Sequence, residues 1–327
     1  MKNRKLKFSP LKMMVFNRAS KRFLTGFTLV EILTVVAIIA TLVAILIPAL
    51  STVQRIAKET KQKAQFNSIK LALETFKNDF GDYPPSNYLI GGNYCGAQKL
   101  AEALVGWDLL GFHPKSAWRA DGLDTAGGAG TYDPGRVRDT NGDGFPDTLE
   151  ERQEPYLQLA DIGVFRLGNI SIDKPGLFNN TGNLHSDTYV ICDVFGVKKV
   201  TMVKSDPVTG QPISLTENAG TPILYYKANT SSKRLLNNLA EFDNNIYNMR
   251  DNGVLVNLGK ITDRKEHPLY YPELFYSAGK GIVDPKVVID PGDPTKLWPY
   301  RPDSYILISA GADGLYGTSD DIRNFGN

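Results

Sequence analysis

The chain has few of the residues from which zinc centres and many catalytic centres are built. Its 327 residues include 3 histidines and 2 cysteines. His113, His185 and His267 lie far apart in the sequence and form no H-E-x-x-H pair, and the chain also lacks a G-x-S-x-G turn. The sequence therefore predicts a protein that is not an enzyme, although a triad assembled only by the fold would leave no such motif.

Acidic residues are absent from residues 1–26, and charge is almost absent from the stretch that follows. Residues 1–26 carry eight basic side chains, and residues 27–50 contain one ionisable residue, Glu31. As a helix that rises about 1.5 Å per residue, this stretch would span roughly 36 Å and cross the ~30 Å core of a bilayer. The basic flank favours an orientation with the N-terminus in the cytoplasm and the rest of the chain on the other side. A cleaved secretory signal is less favoured, because its apolar region spans only about 7–15 residues and precedes a small-residue cleavage site.

Glu31 needs a partner, because an ionised side chain inside an apolar helix costs about 2.5–3.5 kcal/mol near the membrane centre. If the chain were cut between Gly26 and Phe27, a new amine with a pKa of about 7.7–8.0 would lie four residues before Glu31. When such helices pack side by side, the amine of one subunit can neutralise Glu31 of its neighbour. The pair would also fix the axial stagger between the subunits.

These residues resemble the processing site of type IV prepilins and of the pseudopilins of type II secretion. The resemblance covers about the first 60 residues and rests on the sequence Gly-Phe-Thr-Leu-Val-Glu between a basic leader and an apolar helix. It implies that a prepilin peptidase cuts after Gly26 and methylates Phe27, and that Glu31 acts in assembly. Pro48 matches the proline at which the family's helix kinks or loosens.

The helical pattern continues beyond the apolar run. Residues 51–81 place apolar side chains at spacings of three and four, with lysines and glutamates between them, and Gly81 followed by two prolines predicts the helix end. We therefore expect a basic leader over 1–26, one helix over 27–81 (apolar over 27–50, amphipathic over 51–81) and an extracytoplasmic domain over 82–327. A further short helix is predicted at 96–105.

The remaining chain predicts an α+β fold. Short β-branched or aromatic runs bounded by glycine, proline, asparagine and aspartate indicate strands at residues 188–195, 198–203, 221–228, 254–258 and 304–309. The expected architecture is a long helix packed on a small antiparallel sheet with loop-rich insertions, and the resemblance implies the same pilin-like fold. Cys95 and Cys192 would face an oxidising compartment, where a disulfide and two unpaired buried thiols are both open alternatives.

One aspartate-rich segment has the spacing of an EF-hand calcium loop. Residues 139–150 place oxygen ligands at the first, third, fifth, ninth and twelfth positions, with glycine at the sixth; the predicted ligands are Asp139, Asn141, Asp143, the carbonyl of Phe145, Asp147 and Glu150. No helix leads into the loop, because Asp133, Pro134 and Gly135 precede it, but a helix is expected from about Thr148. A solvated acidic turn is the alternative.

A second candidate loop lies near the C-terminus. Residues 309–322 are rich in glycine and aspartate and resemble the terminal loop of major pseudopilins. That resemblance implies a Ca²⁺ site with Asp313 and one or both of Asp320 and Asp321 as carboxylate ligands. A plain turn is again the alternative.

Taken together, the residues and the resemblance predict a pseudopilin-like subunit that is cut, methylated and assembled into a periplasmic fibre for type II secretion. The expected location is the bacterial inner membrane, crossed once, and afterwards the fibre. The implied partners are other copies of the chain, minor pseudopilins, the prepilin peptidase and the inner-membrane assembly platform. Loss of the leader changes the formal charge from +2 to −6, so no nucleic acid is expected. The alternatives are a minor type IV pilin in adhesion or DNA uptake and a membrane-anchored calcium-binding protein that does not polymerise.

Overall fold

The structure is a computed structural model that describes residues 27–88, 94–123, 130–132, 147–159, 162–170, 185, 187–205, 212–235, 239–263, 265–290 and 293–326. The helices are α1 (Leu29–Phe80), α2 (Gly96–Val105), α3 (Asp147–Glu150), α4 (Leu167–Ile170), α5 (Gly253–Asn257) and α6 (Pro272–Phe275). The strands are β1 (Gly163–Arg166), β2 (Tyr189–Cys192), β3 (Lys198–Ser205), β4 (Pro212–Ala219), β5 (Leu224–Lys227), β6 (Val283–Asp290), β7 (Asp293–Pro299), β8 (Tyr305–Ser309) and β9 (Ile322–Arg323). Helix and antiparallel sheet together make the protein α+β. Helical turns of the 3₁₀ type occupy Leu239–Asn244, Met249–Asn252 and Pro268–Tyr270.

Helix α1 is continuous over 52 residues, which confirms the predicted single helix. It ends where the sequence indicates. Gly81 adopts a φ of 82°, and its N–H donates to the carbonyl of Lys77 at 2.7 Å. A glycine with positive φ is the usual residue just beyond a helix end, and the two prolines that follow prevent the helix from resuming.

The chain divides into two compact units within α1. One unit ends at Thr52, and the other is Val53–Asn327. The second unit contains the amphipathic part of α1 and all the other described helices and strands. The two parts of the helix that differ in sequence pattern therefore also belong to different units.

The amphipathic part of α1 buries one face. Phe66, Ile69, Leu73 and Phe76 are at most 5% exposed, whereas Leu71 on another face is 70% exposed. The buried rings contact aromatic side chains of the domain; the centroid of Phe76 lies 5.1 Å from that of Phe112 and 5.8 Å from that of Tyr156. The spacing of three and four thus predicted the buried face correctly.

Two glutamines on the buried side of α1 connect it to the chain after β2. The Oε1 atom of Gln62 accepts from the N–H of Val194 at 3.0 Å, and the Nε2 atom of Gln65 donates to the carbonyl of Cys192 at 3.0 Å. Since a buried backbone polar group without a partner is costly, these amides stabilise a segment that leaves its strand.

The three-stranded sheet separates two hydrophobic cores. Its order is β5–β8–β9, and all pairings are antiparallel. Alternate side chains of β8 enter different cores: Tyr305 and Leu307 lie in the core that contains the buried face of α1, whereas Ile306 and Ile308 lie in the other. This is the two-sided burial expected for a central strand.

The prediction of one sheet is wrong. Besides the three-stranded sheet, the described residues form three separate antiparallel pairs, β1–β2, β3–β4 and β6–β7. The β3–β4 pair extends over eight residue pairs, from Lys198 with Ala219 to Ser205 with Pro212. Strands β1, β4, β6, β7 and β9 were not among the predicted strands.

The predicted strand at residues 254–258 is also wrong, because this segment forms helix α5. The preceding 3₁₀ turn, Met249–Asn252, leads directly into it, and the side chain of Asn248 accepts from the N–H of Arg250 at the start of that turn. A five-residue apolar run does not distinguish a strand from a helical turn, and here the turn before it determines the outcome.

The contrast between Leu73 and Leu71 gives a matched test of the packing of α1. We expect Leu73→Ala to lower the free energy of unfolding by about 2–5 kcal/mol, because it leaves a cavity beneath the helix. Leu71→Ala removes the same atoms from an exposed position and should change the stability by less than about 0.5 kcal/mol. Urea unfolding of the full chain in detergent, followed by tyrosine and tryptophan fluorescence, measures both. Equal effects of the two substitutions would contradict the assigned face.

Candidate functional site

The first part of helix α1 presents an exposed apolar surface. From Phe27 to Ile56 the large apolar side chains of the helix are 44–81% exposed. The helix is long and apolar enough to cross a membrane by length and composition, and its most apolar window is not buried at all. This surface can be covered by lipid or by equivalent helices of other molecules.

Glu31 lies at the start of this helix and forms a capping box with Thr28. Its Oε2 atom accepts from the N–H and from the hydroxyl of Thr28, both at 2.8 Å, and the hydroxyl of Thr28 accepts from the N–H of Glu31 at 3.2 Å. These bonds satisfy N–H groups that have no partner within the helix. The carboxylate is thereby held at the end of the helix where cleavage after Gly26, which lies outside the described residues, would create a new amine.

Pro48 lies inside α1 without ending it. It has no N–H to donate to the preceding turn. Its own carbonyl accepts from the hydroxyls of Ser51 at 2.8 Å and Thr52 at 3.1 Å. Hydroxyl groups that bond backward in this way compete with the backbone hydrogen bonds and slightly destabilise a helix.

Most of the EF-hand-like loop lies outside the described residues. Asp139, Asn141, Asp143 and Phe145 are among the residues that are not described. Asp147 is the first residue of α3, and Glu150, its last residue, is exposed. A helix begins near the predicted position, Thr148, but it is only four residues long and occupies the last four positions of the loop.

The C-terminal loop is closed by hydrogen bonds from its own backbone to its carboxylates. Asp320 accepts from the N–H of Asp313 at 2.9 Å, and Asp321 accepts from the N–H of Gly317 at 2.9 Å. Gly311 has a φ of 66°, and a Cβ atom there would lie 2.3 Å from the carbonyl oxygen of Asp320. Glycine is therefore required at this close approach. These contacts bring Asp320 beside Gly311 and Asp313, so the two ends of the loop lie close together.

A further carboxyl group, that of Asp193, is hydrogen-bonded to the start of this loop. The buried Asp193, 4% exposed, accepts from the hydroxyl of Ser309 at 3.0 Å and from the N–H of Thr221 at 3.1 Å. Burial raises its pKa to about 7, and the charge of Asp320 adds to this shift. Burial also raises the pKa of Asp321 to about 7, while Arg323 opposes it. Sequence reasoning missed Asp193, which lies in a strand-end segment far from the loop in the chain and has no motif.

The three predicted carboxylate ligands of this loop do not converge on one point. Within the described part of the chain, no three His, Cys, Asp or Glu side chains are grouped closely enough to hold a metal ion. Oxygen atoms of each carboxylate bind backbone N–H groups instead, as Asp313 does with the N–H of Leu315 at 2.7 Å. The residue types suit Ca²⁺, which prefers hard oxygen ligands. A complete shell would need carbonyl oxygens, water or movement of the loop.

Cys95 and Cys192 are two free, fully buried thiols in this structure. Both belong to the same hydrophobic core. Burial raises the pKa of Cys95 to about 12, and the pKa of Cys192 is raised well above its usual value for the same reason. Thiols in this state are unreactive, because the thiolate is the nucleophile. Of the two alternatives that the sequence left open, a disulfide and two unpaired buried thiols, the structure shows the second.

Helix α2 carries two ionisable groups that the sequence analysis did not single out. All of its residues are buried, including Lys99 and Glu102. Burial lowers the pKa of Lys99 to about 8 and raises the pKa of Glu102 to about 7. The Nζ atom of Lys99 donates to the carbonyl of Asn87 at 2.5 Å, and Glu102 accepts from the hydroxyl of Ser116. The only sequence signal was a lysine and a glutamate three residues apart in a short helix, a spacing that is also common on exposed helices.

The raised pKa of Glu102 predicts a pH dependence of stability. In the folded protein this group keeps its proton up to about pH 7, whereas its ordinary pKa is 4.5. Its contribution to stability is thus fully present below pH 4.5 and is lost as the pH rises through 7. Glu102→Gln removes that loss, so the difference in unfolding free energy between pH 5 and pH 8 should shrink by about 1–3 kcal/mol. Urea unfolding at both pH values measures it, with the exposed Glu154→Gln as control. Identical pH profiles for the wild type and Glu102→Gln would contradict the burial of this charge.

Comparison with known proteins finds no match to any protein-family model, to any curated protein or to any solved structure.

Proposed function

We propose that this chain is a type IV pilin-like subunit that is cut after Gly26, methylated on Phe27 and assembled into a helical fibre, as in the pseudopilins of type II secretion. The observation that carries the proposal is the uncovered apolar helix with one carboxylate at its start. The helix would first cross the inner membrane, with the domain on the periplasmic side, and would later lie in the centre of the fibre beside other copies.

The exposed apolar helix suits both environments. Lipid chains are as apolar as leucine side chains, so leaving the membrane for a bundle of equal helices costs little hydrophobic free energy. Close packing and polar contacts between the helices must then favour the bundle. In this proposal Glu31 supplies the polar contact by pairing with the N-terminal amine of an adjacent subunit, in addition to its bonds with Thr28.

The N-terminal mass of the protein tests the processing step. We expect protein isolated from bacteria that contain a prepilin peptidase to begin with methylated Phe27, and Gly26→Val to retain the leader. Mass spectrometry of the intact protein and of its N-terminal peptide measures this. Wild-type protein that begins at Met1 would support a membrane anchor that does not polymerise and would refute the proposal.

Substitutions at Glu31 test the assembly step. Glu31→Gln keeps the side chain needed for the capping box but removes the charge, and Glu31→Ala removes both. If the charge pairs with the neighbouring amine, both variants should be processed normally and should lower the yield of sheared fibres at least about tenfold, which corresponds to ~1.4 kcal/mol. Glu59→Ala is the matched control, since Glu59 lies on the same helix in an exposed ion pair with Arg55 at 3.8 Å. Normal fibre yield from Glu31→Gln would refute the pairing.

We also propose that the C-terminal loop binds Ca²⁺ through Asp313, Asp320 and Asp321, and that the segment 139–150 forms a second site. The support for the C-terminal site is the hydrogen bond that joins Asp313 to Asp320, next to Asp321, because a cation there would favour the ionised form of Asp321 that burial disfavours. The support for the second site is its sequence spacing. Bound ions would stiffen two loops that are rich in glycine.

Calcium should therefore raise the melting temperature of the full chain. At a concentration of 100 Kd one site adds about 2.7 kcal/mol, and sites outside the cytosol commonly have Kd values of about 10⁻⁴–10⁻³ M. The measurement compares the melting temperature in EDTA with that in 10 mM CaCl₂, which is about 10–100 Kd. Asp320→Asn and Asp143→Asn should each remove part of the increase in melting temperature. Asp303→Asn changes an exposed residue outside both loops and should leave the increase unchanged. An unchanged melting temperature of the wild type in CaCl₂ would refute both sites.

A further inference from the structure

A short basic stretch of helix α1 follows its apolar part and belongs to none of the sites considered above. Residues 51–63 contain four basic residues and one acidic residue, which are Arg55, Lys58, Lys61 and Lys63 and Glu59. The stretch therefore has a formal charge of +3. It lies on the same continuous helix as the apolar part, because α1 is unbroken over 52 residues.

Three of these residues, Arg55, Lys58 and Lys61, form what we call the basic collar. They are spaced three residues apart, so they are neighbours on the helix surface, and all three are exposed. The guanidinium of Arg55 lies 3.8 Å from the carboxylate of Glu59, and the side chain of Arg55 is 62% exposed. The Nζ atom of Lys58 donates to the carbonyl of Phe195 at 3.2 Å. Because an exposed ion pair contributes little, the collar keeps a positive charge that another molecule can bind.

The collar begins just beyond the end of the apolar run. Arg55 follows Leu50, the last residue of that run, by five residues, and Lys61 follows it by eleven. At a rise of about 1.5 Å per residue, the collar lies roughly 7–17 Å along the helix from Leu50. A headgroup layer is about 5–8 Å thick, because a bilayer measures about 40–45 Å and its hydrocarbon core about 30 Å. If the apolar run fills the core, the collar therefore lies in the headgroup layer or within about one Debye length of it.

The direction of helical side chains brings the charges of the collar closer to the lipid. In an α-helix every Cα–Cβ bond tilts toward the N-terminus of the helix. The apolar part of α1 is its N-terminal part, so the side chains of the collar start in the direction of the membrane. Lysine and arginine side chains also have apolar stems that lie along apolar surface while the charged end stays at the interface. Both properties favour contact with lipid phosphate groups.

The collar lies on the side of the membrane where basic residues are usually few. Basic residues within about 15–20 residues of a membrane segment favour the cytoplasmic side, whereas the proposed orientation places the collar on the periplasmic side. The eight basic residues of the leader outnumber the collar and can still set the orientation. Since the collar opposes that orientation, its charge calls for a different role. Anionic headgroups suit it, because each basic residue near an anionic surface strengthens the association about fivefold.

We propose that the basic collar binds the headgroups of anionic phospholipids while the subunit is in the membrane. This inference rests on the proposed function, because it requires the apolar part of α1 to cross a bilayer. It adds a lipid partner to that function. The headgroup contacts hold the subunit at one depth in the bilayer, and they must be exchanged for contacts with other subunits when it enters the fibre.

Fluorescence quenching by brominated lipids tests the proposal on the full chain. Ile47→Trp places a reporter at an exposed position near the end of the apolar run, and the three native tryptophans all lie in the domain. The protein is reconstituted in vesicles of phosphatidylglycerol and phosphatidylcholine in equal parts, with bromine on the acyl chains of one lipid or of the other. Because bromine quenches only a fluorophore that it contacts, the two measurements give the ratio of the lipids around the reporter.

We expect phosphatidylglycerol to be preferred about fivefold or more at about 0.01 M salt. The preference should disappear at about 1 M salt, where the Debye length is about 3 Å. Sodium phosphate should weaken the preference no more than NaCl does at the same ionic strength. A stronger effect of phosphate would indicate a site for a free anion and would overturn the proposal.

Substitutions added to the reporter variant locate the contact. Replacing Arg55, Lys58 and Lys61 together by glutamine should abolish the preference for phosphatidylglycerol. Lys61→Gln alone should lower it, whereas Lys70→Gln should leave it unchanged. Lys70 is the matched control, because it is an exposed lysine on the same helix but lies nine residues farther from the apolar run.

The outcomes separate this inference from the proposed function. Equal quenching by the two lipids, or equal effects of Lys61→Gln and Lys70→Gln, would overturn the collar alone. Failure of the full chain to float with the vesicles would refute the membrane step of the proposed function together with the collar.

Discussion

The apolar surface of α1 must be covered, and this constraint organises the whole molecule. Over its first part the helix is apolar on all sides, and no other described residue buries its most apolar window. Over its second part only one face is apolar, and the domain covers that face with Ile69, Leu73 and Phe76 at its centre. The free energy of burying apolar surface therefore requires other molecules for one half of the helix and an attached domain for the other.

The domain meets this requirement with a sheet that has two buried faces. Strand β8 is buried at every residue and sends alternate side chains into the two cores, so one face of the sheet is available to the core that contains α1. Where the chain leaves β2, the amides of Gln62 and Gln65 replace the missing strand partners. Apolar packing and backbone hydrogen bonding thus both connect the helix to the domain.

Sequence patterns predicted those parts of the structure that depend on local spacing. The length of α1, its end at Phe80, helix α2 and four of the five strand segments follow from periodicity and from glycine and proline signals. The predicted strand at residues 254–258 was wrong, because a short apolar run has no unique period. The β6–β7 pair could have been found from Pro291-Gly292, a turn signal between two β-rich runs. The buried Glu102, Asp193 and Asp251 could not be predicted, since only the tertiary fold removes them from water.

The capping box at Thr28 explains how one carboxylate can be tolerated in two environments. In the single chain, the bonds to Thr28 satisfy part of the carboxylate and also N–H groups at the start of the helix. These bonds engage Oε2 and hold the carboxylate toward the helix start, which is the side on which the amine of an adjacent subunit would have to lie. A carboxylate has two oxygens and about four acceptor positions, so an ammonium group can be added without breaking the cap. The capping bonds are therefore compatible with the pairing between subunits that we propose.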